Sequence, residues 1–309
     1  MSPTMKLRQL IGTLPSEPKD KARLRFHQGW WRSFVLDEPQ GPHPLRRGES
    51  VCNVVSGGEH SLKNLIGDGA RAAVERTLLD RKNQGKAAGL IDERRLYNNL
   101  LSSQPLVFNF FGNLQQDRRL ATQLMSRLVP GIDEVLDVRF EYAPRPWIDN
   151  SAFDVALVVK SRGETGLLGI ECKFTETFSP TVYDIDEYRD IAKDSSAFGV
   201  DYETCIAPRF NQLFRNQLIA ERLVQRGEYA FRMTGLFCHE SDTSAIATGN
   251  AFKALLVDGA ASFHVLTYAR FLEELQQLPL SWDQRSSSMM LWARYCALEL
   301  SEAAYRSAE

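Results

Sequence analysis

Three charged residues, Asp154, Glu171 and Lys173, lie in segments whose alternation of apolar and polar residues is typical of β-strands. In the segment 167–174, Glu171 and Lys173 share one strand face and the opposite face is apolar. In the segment 153–159, Asp154 lies on the face opposite to the apolar one. If an even number of residues joins these two strands, both apolar faces enter the core and the three charged side chains converge.

Such a set of residues has a definite chemistry. Two carboxylates on adjacent strands repel each other unless a cation lies between them, and Mg²⁺ or Mn²⁺ prefers oxygen ligands of this kind. A metal-bound water can act as a nucleophile at neutral pH, and a lysine on the same side can help deprotonate it or neutralise charge in the transition state. The small residues Ala156 and Gly169 on this face predict room for a large polar ligand. The set therefore indicates phosphodiester hydrolysis.

The spacing of apolar residues along the chain predicts the strands and helices that must position these residues. After Pro130-Gly131 the period is two, and a mixed α/β core is expected. We predict strands at 135–142, 153–159, 167–174, 230–238 and 261–267, and helices at 181–194, 206–226, 244–256, 269–277 and 286–307. Before that point we predict helices within 23–34, 62–78, 92–103 and 114–128, with the apolar stretch 106–111 between the last two and no strand. The expected organisation is a helical region, residues 1–130, packed on an α/β core, residues 131–309, that ends in helices.

The pattern of Asp154, sixteen intervening residues and Glu171-Cys172-Lys173 resembles the PD-(D/E)XK nuclease superfamily, which has the restriction-endonuclease-like fold. The segments 98–112, 140–145, 151–154 and 169–173 are similar to a group of bacterial proteins regarded as restriction endonucleases, and the similarity spans about 90–275. The resemblance implies a central β-sheet flanked by helices. It also implies metal ligation by Asp154, Glu171 and the backbone carbonyl of Cys172, with Lys173 catalytic. Phe153 stands where the family usually has proline.

Other residues are weaker candidates, each with a structural alternative. Glu141 is the best additional carboxylate, as a metal ligand or to orient a metal-bound water, but an exposed strand residue is an equal interpretation. Gln212 and Arg215, on the predicted helix 206–226, would face the scissile phosphate or belong to a solvated helix face. Arg145, between two prolines, would contact backbone phosphates or cap a turn.

Charge and cysteine content restrict the class of protein. The 309 residues carry a net charge of −2, so bulk charge cannot drive nucleic-acid binding. Residues 1–110, however, contain 17 lysine and arginine residues against 11 acidic ones, which predicts that this region, with Arg94 and Arg95, forms one wall of a nucleic-acid groove. The five cysteines form no C-x-x-C pair, which argues against a zinc site or a disulfide framework, and with no long apolar run a cytoplasmic location is expected.

The sequence thus predicts a Mg²⁺- or Mn²⁺-dependent endonuclease acting on DNA, of a restriction or defence type. Two alternatives stay open: a catalytically silent nucleic-acid-binding or assembly subunit with the same fold, and a nuclease acting on RNA or on single strands. Since a double-strand break normally needs two active sites, a homodimer or a partner subunit is a further expectation.

Overall fold

A five-stranded mixed β-sheet forms the centre of the molecule, in a computed structural model that describes residues 17–84 and 91–308 together with Leu7 and Ile11. Its strands are β3 (Glu134–Tyr142), β4 (Phe153–Ser161), β5 (Glu164–Lys173), β6 (Phe231–Cys238) and β7 (Phe263–Thr267). They lie in the order β3-β4-β5-β6-β7, and the first three are antiparallel whereas β5, β6 and β7 are parallel. The predicted α/β class and all five predicted strands are confirmed.

Helices cover both faces of this sheet. In chain order the helices are α1 (Lys19–Trp30), α2 (Gly58–Ser61), α3 (Gly67–Gln84), α4 (Glu93–Asn98), α5 (Ser103–Gln116), α6 (Arg118–Leu128), α7 (Asp186–Lys193), α8 (Tyr202–Cys205), α9 (Asn211–Gln225), α10 (Thr243–Lys253), α11 (Gly259–Ser262), α12 (Tyr268–Gln276), α13 (Trp282–Tyr295) and α14 (Glu302–Ala308). A π-helical turn (Trp31–Val35) follows α1, and a 3-10 turn (Leu298–Ser301) precedes α14. Within the part of the chain described here, no helix is both long and apolar enough to cross a membrane.

The hairpin between β4 and β5 sets the sheet register. Its loop has two residues, Arg162 and Gly163, whose φ angles are 49° and 85°, as a type I′ turn requires. Val155 therefore pairs with Ile170, and both belong to the main hydrophobic core against α5, α6 and α12. The even loop length expected from the sequence is confirmed.

On the other face of the sheet, helix α9 packs against β4 and β5. Its residues Ile219, Ala220 and Leu223 contact a small apolar cluster that includes Ala156 and Leu167. This contact fixes the axis of α9 above the two strands. The first turns of α9 consequently lie over the end of β5 that carries Glu171 and Lys173.

Two expectations for the N-terminal half are wrong. Strands β1 (Gln40–Pro42) and β2 (Ser50–Val55) form a small antiparallel sheet where no strand was expected. Residues 51–55 of β2 are all buried, so the strand lacks the alternation that marks a half-exposed one. The apolar stretch 106–111 lies inside a single helix, α5, instead of between two helices, because α5 is buried on nearly all sides and shows no polar face.

Candidate active site

The sheet register places three carboxylates in one row across neighbouring strands. Val155 pairs with Ile170 on β5, so the preceding residue, Asp154, lies opposite Glu171. On the other side, the β3–β4 pairs on either side of Glu141 place that residue opposite Asp154. The two sequence-predicted carboxylates are thus neighbours on the sheet face that α9 covers, and Lys173 follows Glu171 on the same face.

Two amide side chains from α9 hold the Glu171 carboxylate. Gln212 Nε2 donates to Glu171 Oε1 at 2.5 Å, and Asn216 Nδ2 donates to Oε2 at 2.8 Å. The two amides are four residues apart, so they lie on one face of the helix. Each carboxylate oxygen therefore has its own donor, and the Glu171 side chain is fixed in orientation.

Lys173 forms an ion pair with the same carboxylate. Its Nζ lies 2.9 Å from Glu171 Oε1 and donates to Gln212 Oε1 at 2.8 Å. The ring of Phe178 lies 5.2 Å from Nζ. Burial opposes the charged form of Lys173, but the Glu171 carboxylate outweighs it and raises the pKa of the ammonium above its usual value.

The surroundings of Asp154 disfavour the charged form of its carboxyl group. Its Oδ2 accepts a hydrogen bond from the Cys172 backbone N–H at 2.6 Å. Burial raises the pKa of Asp154 well above the usual value, and the Glu171 and Glu141 carboxylates raise it further. A cation between Asp154 and Glu171 would relieve this repulsion, so the residues present fit a divalent metal.

Few groups of the protein can act as metal ligands at this site. Because the Cys172 N–H points towards Asp154, its carbonyl, on the same edge of the strand, points to that side too. Two carboxylates and one carbonyl suit Mg²⁺, which keeps several water ligands. In the described residues, no three His, Cys, Asp or Glu side chains are grouped so as to hold a metal ion, and the side chains at the site contribute only a pair of carboxylates.

Glu141 lies at an irregular point of β3. Its φ angle is 47°, in the left-handed region that residues other than glycine rarely adopt. The side chain is half-buried and lines a cavity of about 460 Å³ beside the outer strand of the sheet. It is close enough to affect the pKa of Asp154, and strained backbone often lies near functional sites.

The open space expected beside Ala156 and Gly169 is filled. A Cβ atom at Gly169 would lie 2.2 Å from the ring of Phe153, so the phenylalanine occupies that position. Ala156 is fully buried. The missing side chain at Gly169 therefore makes room for the Phe153 ring and not for a ligand.

The arginines proposed from the sequence fall into separate places. Arg145 is exposed and lines the same 460 Å³ cavity as Glu141. Arg94 is exposed and lines a different cavity, of about 480 Å³, beside β2. Arg95 is bound to Glu176 at 2.9 Å, three residues after Lys173. Arg95 is thus connected by a direct contact to the segment that follows the site.

Arg215, predicted to face the scissile phosphate or to belong to a solvated helix face, contacts the loop before β4 and helix α7. Its guanidinium forms an ion pair with Asp149 at 2.9 Å and also donates to Tyr188 and Ser151. These contacts join the loop before β4 to α9. Arg215 therefore holds the segment that leads into Asp154.

Sequence reasoning missed three residues that support the site. Asn216 has no recognisable signal except its spacing of four from Gln212. Glu176 accepts hydrogen bonds from the backbone N–H groups of Ser103, at the start of α5, and Phe174, at 3.2 Å each. The Tyr268 hydroxyl donates to the backbone carbonyl of Lys173. Apart from the contact of Glu176 with Phe174, these contacts join segments distant in sequence, so no local pattern predicts them.

Comparison with known proteins gives one match. A family model described as the PD-(D/E)XK nuclease superfamily matches residues 15–297. Neither a curated protein nor a solved structure matches the chain. The matched range contains every residue of the site, and it confirms the resemblance drawn from Asp154, Glu171 and Lys173.

Proposed function

Because the chain belongs to the PD-(D/E)XK nuclease superfamily, we propose that it is a metal-dependent nuclease that hydrolyses phosphodiester bonds in DNA. The observation that carries the proposal is the placement of Asp154 opposite Glu171 on adjacent strands, with Lys173 Nζ 2.9 Å from Glu171. Two adjacent carboxylates beside a lysine suit a site that binds a cation and a phosphate together. A role in restriction or defence, and a cytoplasmic location, belong to the same proposal.

In this proposal Asp154, Glu171 and the Cys172 carbonyl hold Mg²⁺ or Mn²⁺. The metal supplies an activated water and draws charge from the scissile phosphate. Gln212 and Asn216 orient the Glu171 carboxylate by their two hydrogen bonds. The Lys173 ammonium, held beside that carboxylate, offsets the negative charge that grows on the phosphate oxygens as the transition state forms.

The direct test is cleavage of supercoiled plasmid, linear DNA and RNA by the purified chain with Mg²⁺, Mn²⁺ or EDTA. We expect DNA cleavage that requires either metal and stops in EDTA. Asp154→Asn keeps the shape of the side chain but removes a metal ligand and a negative charge. It should abolish cleavage and bind DNA more tightly than wild type in EDTA, because one repulsion with the phosphate is gone.

Two results would contradict the proposal. Cleavage that persists in EDTA or in Asp154→Asn would show that the activity belongs to another site or a contaminant. Binding of nucleic acid without cleavage of any substrate in either metal would favour a silent binding subunit. Asp149→Asn is not a suitable control, because Asp149 anchors Arg215. Asp283→Asn, at an exposed position of α13, is the better control.

A further inference from the structure

The charged groups of the site lie in a recess. Glu171 is 5% exposed and Lys173 is 6% exposed. Gln212 and Asn216 cover Glu171 from α9, and Phe178, from the segment 174–185, lies over the Lys173 ammonium. A phosphate that reaches these groups must therefore enter between α9 and this segment.

Three exposed apolar residues, which we call the apolar rim, lie in the two segments that Arg215 contacts: Ile148, Val182 and Tyr183, which are 39%, 42% and 46% exposed. Ile148 precedes Asp149 in the loop before β4, and the other two lie in the segment before α7. Arg215 joins the two segments, because it forms an ion pair with Asp149 and its guanidinium carbon lies 4.2 Å from the centre of the Tyr183 ring. Clustered exposed apolar side chains are a mark of binding surfaces.

The backbone of Tyr183 is fixed to the helix turn that builds the site. The Asn211 side chain accepts a hydrogen bond from the Tyr183 N–H and donates one to its carbonyl, both at 3.2 Å. The next residue, Gln212, bonds both Glu171 and Lys173. Arg215 lies three residues further along α9, on the same helix face as Gln212. The ring of Tyr183 is thus a pre-formed aromatic surface, and its backbone is bonded to Asn211, the neighbour of the Gln212 that contacts the charged groups of the recess.

We propose that the substrate is single-stranded nucleic acid, with a base stacked on Tyr183 and a neighbouring phosphate in the recess. This inference rests on the proposed nuclease function and specifies its substrate. Bases of a single strand have free faces, and stacking on aromatic side chains with nearby arginine is how proteins bind such strands without reading their sequence. A single strand can also bend so that one phosphate enters a narrow opening. In a duplex the bases are stacked on each other and the backbone is stiff.

The test is the binding of fluorescent oligonucleotides in EDTA, where cleavage is stopped, measured by anisotropy. We expect the wild type to bind a single strand at least about ten-fold more tightly than the matching duplex. Tyr183→Ala should weaken single-strand binding by roughly ten-fold, since stacking contributes about 1–3 kcal/mol per base. Tyr183→Trp should retain binding. Trp282→Ala, which removes an aromatic residue that is 81% exposed on α13, is the matched control and should change nothing.

An oligonucleotide with several abasic positions separates stacking from charge. It should bind wild type about as weakly as the normal strand binds Tyr183→Ala, and the variant should not discriminate between the two strands. Equal or tighter binding of the duplex, or unchanged binding by Tyr183→Ala, would overturn the inference. If metal-dependent cleavage of duplex DNA persists in those cases, the nuclease function stands and only the substrate assignment fails. If no nucleic acid is cleaved in Mg²⁺ or Mn²⁺, the proposed function itself fails.

Discussion

Two buried polar clusters in this protein differ in how their charges are balanced. The terminal cluster, formed by His27, Gln28, Asn64 and Arg294, joins α1 to α13. The guanidinium of Arg294 donates to Asn64 Oδ1 at 2.6 Å, to the Asn64 carbonyl at 2.9 Å and to Gln28 Oε1 at 3.2 Å. A single cation is thus surrounded by neutral oxygens, and each of its three nitrogens donates one hydrogen bond.

The active-site cluster has the opposite balance. Asp154 and Glu171 bring two carboxylates to one ammonium, that of Lys173, and the pKa of Asp154 is raised by burial and by the adjacent carboxylate. Hydrogen bonds are complete around Glu171, but its carboxylate and that of Asp154 still repel each other. The comparison teaches that burial and hydrogen bonding alone do not distinguish a functional cluster from a structural one. Adjacent groups of like charge do, because a bound ion of opposite sign relieves their repulsion.

The largest effect should come from breaking the terminal cluster. Arg294→Met removes the donors of Asn64 Oδ1 and Gln28 Oε1 and leaves buried acceptors unpaired, at about 1–3 kcal/mol each. We expect the free energy of unfolding to fall by about 4 kcal/mol in urea denaturation. Arg285→Met, an exposed arginine on the same helix, should cost no more than about 0.5 kcal/mol. Equal losses in both variants would refute a structural role for the cluster.

In the active-site cluster, a comparable change should affect catalysis instead of folding. Lys173→Ala removes the ammonium that offsets transition-state charge, and we expect cleavage to fall by about 10²–10³-fold, equivalent to about 2.7–4 kcal/mol. Nucleic-acid binding should persist. Lys160→Ala, on β4 and paired with Glu134 at the surface, is the matched lysine control. Single-turnover cleavage rates and melting temperatures of the three proteins check this, and a fully active Lys173→Ala would remove the lysine from the reaction.

Acid should weaken the terminal cluster through His27. Burial lowers the pKa of His27 from 6.5 to about 4, so the folded state favours the neutral ring, whose nitrogens lie 2.8 Å from Ser301 Oγ and 3.0 Å from the Ala293 carbonyl. The unfolded chain binds the proton more readily, so this contribution is fully present above about pH 6.5 and is lost as the pH falls towards 4. Between pH 7 and 4.5 we expect roughly 2 kcal/mol from this residue.

The matching variant is His27→Gln, compared with wild type by urea denaturation at both pH values. It should lose stability at pH 7 but show a smaller loss on acidification. The single substitution is needed because burial also lowers the pKa values of His239 and His264. If wild type and His27→Gln respond identically to pH, the imidazole is not the group that titrates.

The smallest effect is expected for Glu141, the carboxylate on the outer strand β3. Glu141→Gln preserves the size of the side chain but removes a charge that acts on Asp154. We expect metal-dependent cleavage to fall by about ten-fold, or 1.4 kcal/mol, with an unchanged melting temperature. Glu134→Gln, an exposed residue on the same strand, serves as the control. Full activity in Glu141→Gln would assign the residue to the surface.

How much of this structure the sequence predicts depends on how far apart in sequence the contacting residues lie. Strands β4 and β5 and the convergence of Asp154 with Glu171 follow from an alternation of period two and a short turn, which are local. Helix α5 escapes prediction because burial on all sides removes its period. Asn216 and Glu176 escape because their partners lie 45 and 73 residues away in sequence. Phe153 stands where the family usually has proline, and the reason appears only in the structure, where its ring covers Gly169.

The two-residue turn at Arg162 and Gly163 has a consequence for protein engineering. A label or a small domain attached at Gly163 would lie about 26 Å from Glu171, which is eight residues further along the strand, with nothing within 4 Å of a Cβ added at Gly163. An insertion there is compatible with the site as long as the strands stay paired as they are. A deletion or insertion of one residue that shifts β5 along β4 would instead turn Cys172 to the face that α9 covers and bury Glu171 and Lys173 in the apolar core. Sequence libraries can therefore vary the turn, whereas the strand after it must keep its register.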